Sequence, residues 1–477
     1  MNNNTRRTFL KGVGVTATAL GIGGNIVLAE ETDGTETDDP PAGWSLYRGT
    51  NGRTGATRMG GPTDAGNLDV IEWTNPDGSI GEPVVADDTV YLAVRESDGP
   101  GATAGFVAAY DLQTGTEKWK QTTPAPHTPT VGTDRVYFLT SAPESPDPDD
   151  GGVFALDIET GEVAWTRTDY VTYGQPVWTQ PILADEGLLT TNVSTGSAYA
   201  LDPATGDTVW KTGGVEGDVA YADGTVYTTD GTAVDASDGS KKWSVEGSIE
   251  MVADGSAYGT TEGTVHSWSV GDGASQWSTS IEGEFGQFAL GDEQLLVVTE
   301  EENTHRATAL DATSGKERWS VEPLSALSGL SVGDGIVYVG GRRAVDDGTD
   351  EAVVLAIDPA SGEPTWSLRL PARTEQTDNF DGLTATTPVA VDGSLLVSSS
   401  PHDVDPFWYE SDGYTRDEIL YRITADESPA DDDASGGDET DDEDSNGNES
   451  NGDESDADDS TDGSEDTDEE TENDRCN

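Results

Sequence analysis

The side chains able to do chemistry are few in this chain of 477 residues. It has four histidines (His127, His266, His305 and His402) and a single cysteine, Cys476. His127 and His402 sit in Pro-containing stretches and read as solvated loop residues, whereas His266 and His305 fall beside or within strand-like segments and read as surface residues. The acidic runs Asp147-Pro-Asp149-Asp150 and Asp346-Asp347-Gly-Thr-Asp350 lack the full ligand spacing of a Ca²⁺ loop. In so acidic a chain such runs arise from composition alone, so no metal site is expected. No Gly-x-Ser-x-Gly elbow stands at a strand-to-helix turn, and no Gly-rich phosphate loop opens a helix, so no catalytic residue is expected either. What remains is a set suited to holding a flat or polar ligand: His127-Thr128, Trp178-Thr179-Gln180, Gln287 and the pair Thr386-Thr387. An indole offers a planar apolar face for stacking, and hydroxyl and amide side chains both donate and accept hydrogen bonds. The alternative for Trp178 is that it packs in a wall.

The elements that would position these residues are repeats. A pattern of Ala, Asp two residues on, Gly four further and Trp four further still occurs seven times in order. Its copies end on Trp119, Trp165, Trp210, Trp243, Trp277, Trp319 and Trp366. The copy ending on Trp277 is eroded, with Ser267 and Ser269 in place of Ala and Asp. The residues before each Asp are apolar and suit a strand, Asp-x-x-(Thr/Ser/Asp)-Gly is turn chemistry, and the residues up to Trp form the returning strand. The motif is therefore a hairpin, its Trp should wedge between neighbouring units, and its small Ala should leave room for bulk. A further pair of short apolar segments precedes most hairpins, as in Pro83-Val84-Val85 with Val90-Tyr91-Leu92. Four short antiparallel strands repeating every 33 to 47 residues, with no helical periodicity, predict an all-β fold of propeller blades. In that fold the segments opening each blade face a central channel, so Thr128, Trp178, Gln180 and Gln287 become channel residues.

The ends of the repeat region set the blade count. Trp73 closes a strand that has no hairpin partner before it, and Ile419–Ile423 is a hairpin strand with no Trp after it. If Trp73 completes the final blade, the ring closes and free sheet edges disappear. The expectation is an eight-bladed β-propeller over 44–424, seven blades being the alternative count.

The flanking segments are of another kind. Arg6-Arg7 with Phe9-Leu10-Lys11 precedes an uncharged run ending in Val27-Leu28-Ala29, which reads as a twin-arginine signal peptide over 1–29. A linker over 30–43 and a tail over 425–477, rich in Asp and Glu with Arg475 as its one base, are too polar to offset chain entropy and read as disordered. The expected location is extracellular, at the cell surface or beyond, with no membrane span after cleavage. Formal net charge is −69, and the acidic excess runs through the repeats as well as the tail. Such a surface repels itself unless high ionic strength screens it, which points to adaptation to salt; an acidic patch for a basic partner is the competing reading. No basic stripe exists to bind nucleic acid.

The Ala-x-Asp-x-x-x-Gly-x-x-x-Trp motif resembles the tryptophan-docking repeat of pyrroloquinoline-quinone (PQQ)-type propellers. The run from Trp44 through Arg48 to Arg53-Thr-Gly55 is similar to the lead-in found before many of them. The acidic composition and the signal look like those of secreted members from halophilic archaea. The resemblance implies the fold firmly, but its superfamily spans quinoprotein alcohol dehydrogenases and outer-membrane assembly scaffolds. The repeat motif itself is architecture. A quinoprotein would also need a Ca²⁺ site, an Asp base, a Trp floor and a basic residue at the quinone oxygens, and many carry a vicinal disulfide that one cysteine cannot form. The function expected is therefore non-catalytic binding or scaffolding, as a monomer, with a protein or glycan held on the propeller loops and no cofactor. The alternative is a PQQ- and Ca²⁺-dependent alcohol or sugar dehydrogenase with the quinone in the channel.

Overall fold

The computed structural model describes residues 44–425, apart from 64–67, 75, 77, 97–103, 141–151, 169–177, 302–303, 346–349, 372–382 and 402–417. Residues 1–43, read as signal peptide and linker, the tail from 426 with Cys476, the acidic run at 147–150, most of that at 346–350, and His402 lie outside the described residues. All regular structure among the described residues is β, in eight antiparallel four-stranded sheets. Seven are contiguous in sequence, spanning 79–123, 130–167, 182–213, 219–244, 248–280, 284–321 and 326–369. The eighth combines strands within 383–425 with Leu68–Thr74, which pairs antiparallel with Ile419–Ala425. Trp73 thus completes the last blade, and the count is eight rather than seven.

Each Trp docks on the next blade. The indole Nε1 of Trp119 donates to the Ile158 carbonyl at 2.9 Å, Trp165 to Pro203 at 2.9 Å, Trp210 to Ala236 at 2.7 Å and Trp243 to Val270 at 3.0 Å. Trp277 donates to Ala312 at 2.8 Å, Trp319 to Pro359 at 2.7 Å and Trp73 to Leu112 at 3.3 Å. In all seven the acceptor immediately follows the Asp (or Ser269) of the next motif. That Asp holds its own turn: Asp311 Oδ1 accepts from the Ser314 amide at 2.9 Å, and the Gly315 amide closes onto the Asp311 carbonyl at 2.8 Å. The motif Gly has positive φ, 77° at Gly362, and also lies flat against the preceding blade's indole. A Cβ there would stand 2.7 Å from the Trp319 ring, so backbone and packing both call for glycine. The motif Ala sits directly opposite its own Trp, as in Ala309 with Trp319, and a bulge follows it. The eroded copy keeps this geometry: Ser267 lies opposite Trp277, and Ser269 Oγ accepts from the Gly271 amide at 3.3 Å.

A tyrosine doubles the dock in several blades. The hydroxyls of Tyr137, Tyr227, Tyr258 and Tyr338 reach the same carbonyls as Trp165, Trp243, Trp277 and Trp366. The seam between the eighth and first blades has its own fastening. Glu418, 4 % exposed, accepts from the Ile80 amide at 3.0 Å and from the Ser79 and Ser400 hydroxyls at 3.0 and 2.9 Å.

Candidate binding site in the channel

The opening strands of successive blades pack side by side around the axis. One end of the channel they form is crossed by the lead-in, 44–62, which binds every blade in turn. Trp44 exchanges backbone hydrogen bonds with Val85 of the first blade, and the Ser45 carbonyl accepts from Val131 of the second. Asn51 donates through its side chain to the Leu183 carbonyl of the third and accepts at its own carbonyl from Tyr221 of the fourth. Carbonyls of Gly52, Thr54, Gly55 and Gly60 accept from Val252, Leu290, Val332 and Gly393 of the fifth to eighth blades. Ala56–Thr57 adds a short parallel pairing with Val332–Gly333. The Pro62 carbonyl then accepts the indole of Trp366 at 3.0 Å, taking the place of the motif turn that the split eighth blade lacks. Sequence reading saw the lead-in only as a family mark; no local periodicity signals a segment whose partners are eight separate strands.

The lead-in brings charge into the channel. The Arg48 guanidinium donates to Gln287 Oε1 at 2.9 Å, to the Leu330 carbonyl at 3.3 Å and to the Phe288 carbonyl. Glu82 accepts from the Trp44 indole at 2.8 Å and from the Arg48 amide at 2.7 Å, and burial pushes its carboxyl above the usual range. Arg53 pairs with Asp218 at 3.2 Å and lies 5.7 Å from the Tyr47 ring centroid.

Of the four channel candidates, Gln287 contacts this set directly. Gln287 is engaged on three sides, with Arg48 and the Leu330 amide on Oε1 and with Thr387 through Nε2 at 3.3 Å. Thr128 is buried where the second blade opens. Gln180, opening the third blade, is half-buried with an enclosed Oε1 that has no partner. Trp178, 2 % exposed, packs in the wall with Tyr137 and Leu139 of the second blade. Tyr199 meets it edge-on at 5.0 Å and the Arg167 guanidinium stands 5.3 Å from its ring. His127 is not the solvated loop residue expected: burial first, and Arg95 second, lower it to about 4. His266 and His305 are half-buried in strands, the former stacked on Trp268 at 5.0 Å. Beside Gln287, between the sixth and seventh blades, a pocket of about 210 Å³ opens over Phe285, Val298 and Leu327, with Glu284 and Glu300 at its edge.

Tested against a quinone, these residues do not fit. Trp178 is buried, with Arg167 over its ring and Tyr199 packed against it, so it offers no open floor for a planar cofactor. Gln287 is tied to the lead-in. Among the described residues no three His, Cys, Asp or Glu side chains converge as a cation site would require.

Fold and docking pattern define the class: an eight-bladed, tryptophan-docked β-propeller. The sequence profile of the family described as outer membrane protein assembly factor BamB matches residues 73–212, 172–256 and 232–404, and the chain belongs to this PQQ-like repeat family. BamB from Moraxella catarrhalis superposes with a TM-score of 0.50 at 15 % identity, over 76 % of this chain and 98 % of that one. A europium-containing methanol dehydrogenase superposes at 0.57 and 13 % identity, over 81 % and 99 %. A quinohemoprotein alcohol dehydrogenase from Pseudomonas putida superposes at 0.56 and 14 %, over 81 % of each chain. These likenesses concern the fold alone. The serine/threonine-protein kinase AfsK of Streptomyces coelicolor is 31 % identical over 157 residues, which is 30 % of this chain and 19 % of the kinase.

Proposed function

We propose that this protein is a non-catalytic binding or scaffolding propeller, exported by the twin-arginine route, that works as a monomer at or beyond the cell surface in high salt. It holds a protein or glycan partner on the loops and pockets at the channel mouth, away from the lead-in. The observation that carries this reading is the engagement of the channel's polar side chains in structure: Arg48, Gln287, Glu82 and Trp44 fasten the lead-in to the blades. The pocket beside Gln287 is the place where a partner's side chain or a sugar hydroxyl would seat. The net charge of −69 keeps such a ring soluble and separate where salt is high.

The test places a photo-crosslinking residue at Glu284, on the pocket's exposed edge, and irradiates cells grown in high salt. The expected outcome is one discrete adduct at Glu284, absent when the probe is moved to Val209 on an outer strand. Equal labelling at both positions would overturn the assignment of this mouth as the binding face. In parallel, purified protein given quinone, Ca²⁺ and an alcohol should reduce no dye.

A further inference from the structure

We infer that the pocket between the sixth and seventh blades takes a basic side chain, arginine or lysine, from a protein partner. The inference rests on the reading of this mouth as a binding face and names the chemistry that the face selects. The strands opening the two blades, Glu284–Gly291 and Ala326–Gly333, are each interrupted at the pocket. Their pairing shifts register between Phe285 and Phe288 and between Leu327 and Gly329. Bulges of this kind bend a strand and re-aim its side chains, and here a cavity of about 210 Å³ lies between the two.

Its walls are apolar and its rim is acidic. Val298 and Leu327 are buried, and the half-buried Phe285 lines the space with them. Glu284 and Glu300 are exposed at the edge and stand directly opposite each other in the antiparallel pair, where like charges repel. The bases on neighbouring strands are engaged elsewhere: Arg306 bonds Glu322, Arg342 pairs with Asp350 at 2.9 Å and Arg343 reaches Ser367 at 3.2 Å. Among the described residues His305 is the base in contact, its Nε2 3.7 Å from Glu300 Oε1, and even when protonated it matches one carboxylate of the two. A methylene stem ending in a cation answers all of this. The stem packs on Val298 and Leu327, the Phe285 ring attracts the charge, and the carboxylates accept its N–H donors. A neutral sugar hydroxyl would leave the two like charges unrelieved. Salt makes the selection local, because the screening length is about 3 Å at 1 M. Acidic residues scattered over the surface then attract nothing at a distance, and a cation is chosen only where a cavity also holds its stem.

The test is saturation-transfer NMR on the full chain in high salt. The ligands are acetyl-Gly-Arg-Gly-amide and acetyl-Gly-Lys-Gly-amide, each set against a neutral counterpart carrying citrulline or norleucine. The basic peptides are expected to bind about tenfold more tightly than the neutral ones, and the preference to vanish in Glu284→Gln/Glu300→Gln. Glu284→Gln alone should fall between. Equal binding of basic and neutral peptides, or a preference kept in the double variant, would overturn the inference. Glucosamine binding more tightly than either basic peptide would overturn it too, assigning the pocket to a glycan. A crosslinker at Ser328, which leaves both glutamates in place, separates this inference from the reading beneath it. An adduct in cells that is lost in the double variant supports both. An adduct that persists keeps the binding face and overturns the basic side chain. No adduct in either protein overturns the binding face and the protein partner with it.

Discussion

Removing one docking tryptophan tests the architecture at a single joint. Trp319 is 7 % exposed and belongs to a cluster with Leu330, Val337, Val353 and Leu355 of the next blade. Its indole covers Gly362 and bonds the Pro359 carbonyl at 2.7 Å. A buried indole removes about 200 Å² of largely apolar surface from water, or about 5 kcal/mol at about 25 cal/mol per Å². That figure assumes an extended unfolded chain and shrinks by up to about 40 % for a realistic one. Loss of the hydrogen bond adds about 1 kcal/mol, little more, because Pro359 is half-exposed and water can replace the indole. Trp319→Ala should therefore destabilise the ring by about 3–5 kcal/mol. The assay is equilibrium denaturation in high salt, followed by tryptophan fluorescence and circular dichroism together, since blades can uncouple. A loss under about 1 kcal/mol would refute the docking role. Trp319→Phe, which keeps most of the area and removes the donor, should lie between the two.

Two further outcomes follow from the same joint. Gly362→Ala should destabilise by at least about 1–2 kcal/mol, because a Cβ meets the Trp319 ring and the positive φ resists it; urea midpoints read this, and a neutral result would deny the close approach. The turn aspartate Asp311, held by Ser314 and by Arg318 at 2.7 Å, has its carboxyl lowered to about 2. Its folded value lies below its unfolded one, so its contribution is present above about pH 4 and is lost as pH falls toward 2. Asp311→Asn should flatten that part of the pH–stability profile, measured in dilute protein because the isoelectric point is near 4.1. An unchanged slope would remove the turn from the account. Asp111, Asp157, Asp235 and Asp358 are lowered by the same turn hydrogen bonds and act in the same direction.

The blades were legible because each repeats its reasons locally. Asp, Gly and Trp recur at fixed offsets, and turn chemistry and apolar runs fall where a hairpin needs them. Even the split blade could be read, since Trp73 lacked a partner strand and Ile419–Ile423 lacked a tryptophan. Contacts made across the ring were not legible. Pro62 as the eighth acceptor, Arg48 reaching Gln287, and the tyrosines sharing the tryptophans' carbonyls have no spacing rule, because their partners are set by closure of the whole ring. The channel candidates show the same boundary. Position within a blade made Thr128, Gln180 and Gln287 candidates for the channel. It could not say that Trp178 turns into the wall, since lumen-facing and wall-facing side chains alternate along a strand with no difference in type.

The central functional claim is that this ring binds and scaffolds without a quinone. The most direct measurement is equilibrium dialysis of the purified protein in high salt against pyrroloquinoline quinone with Ca²⁺, followed by an absorbance spectrum of the retained fraction. The account expects no quinone band above that of the dialysate. A stoichiometric band that persists through dialysis, and that disappears in Trp178→Ala, would contradict it.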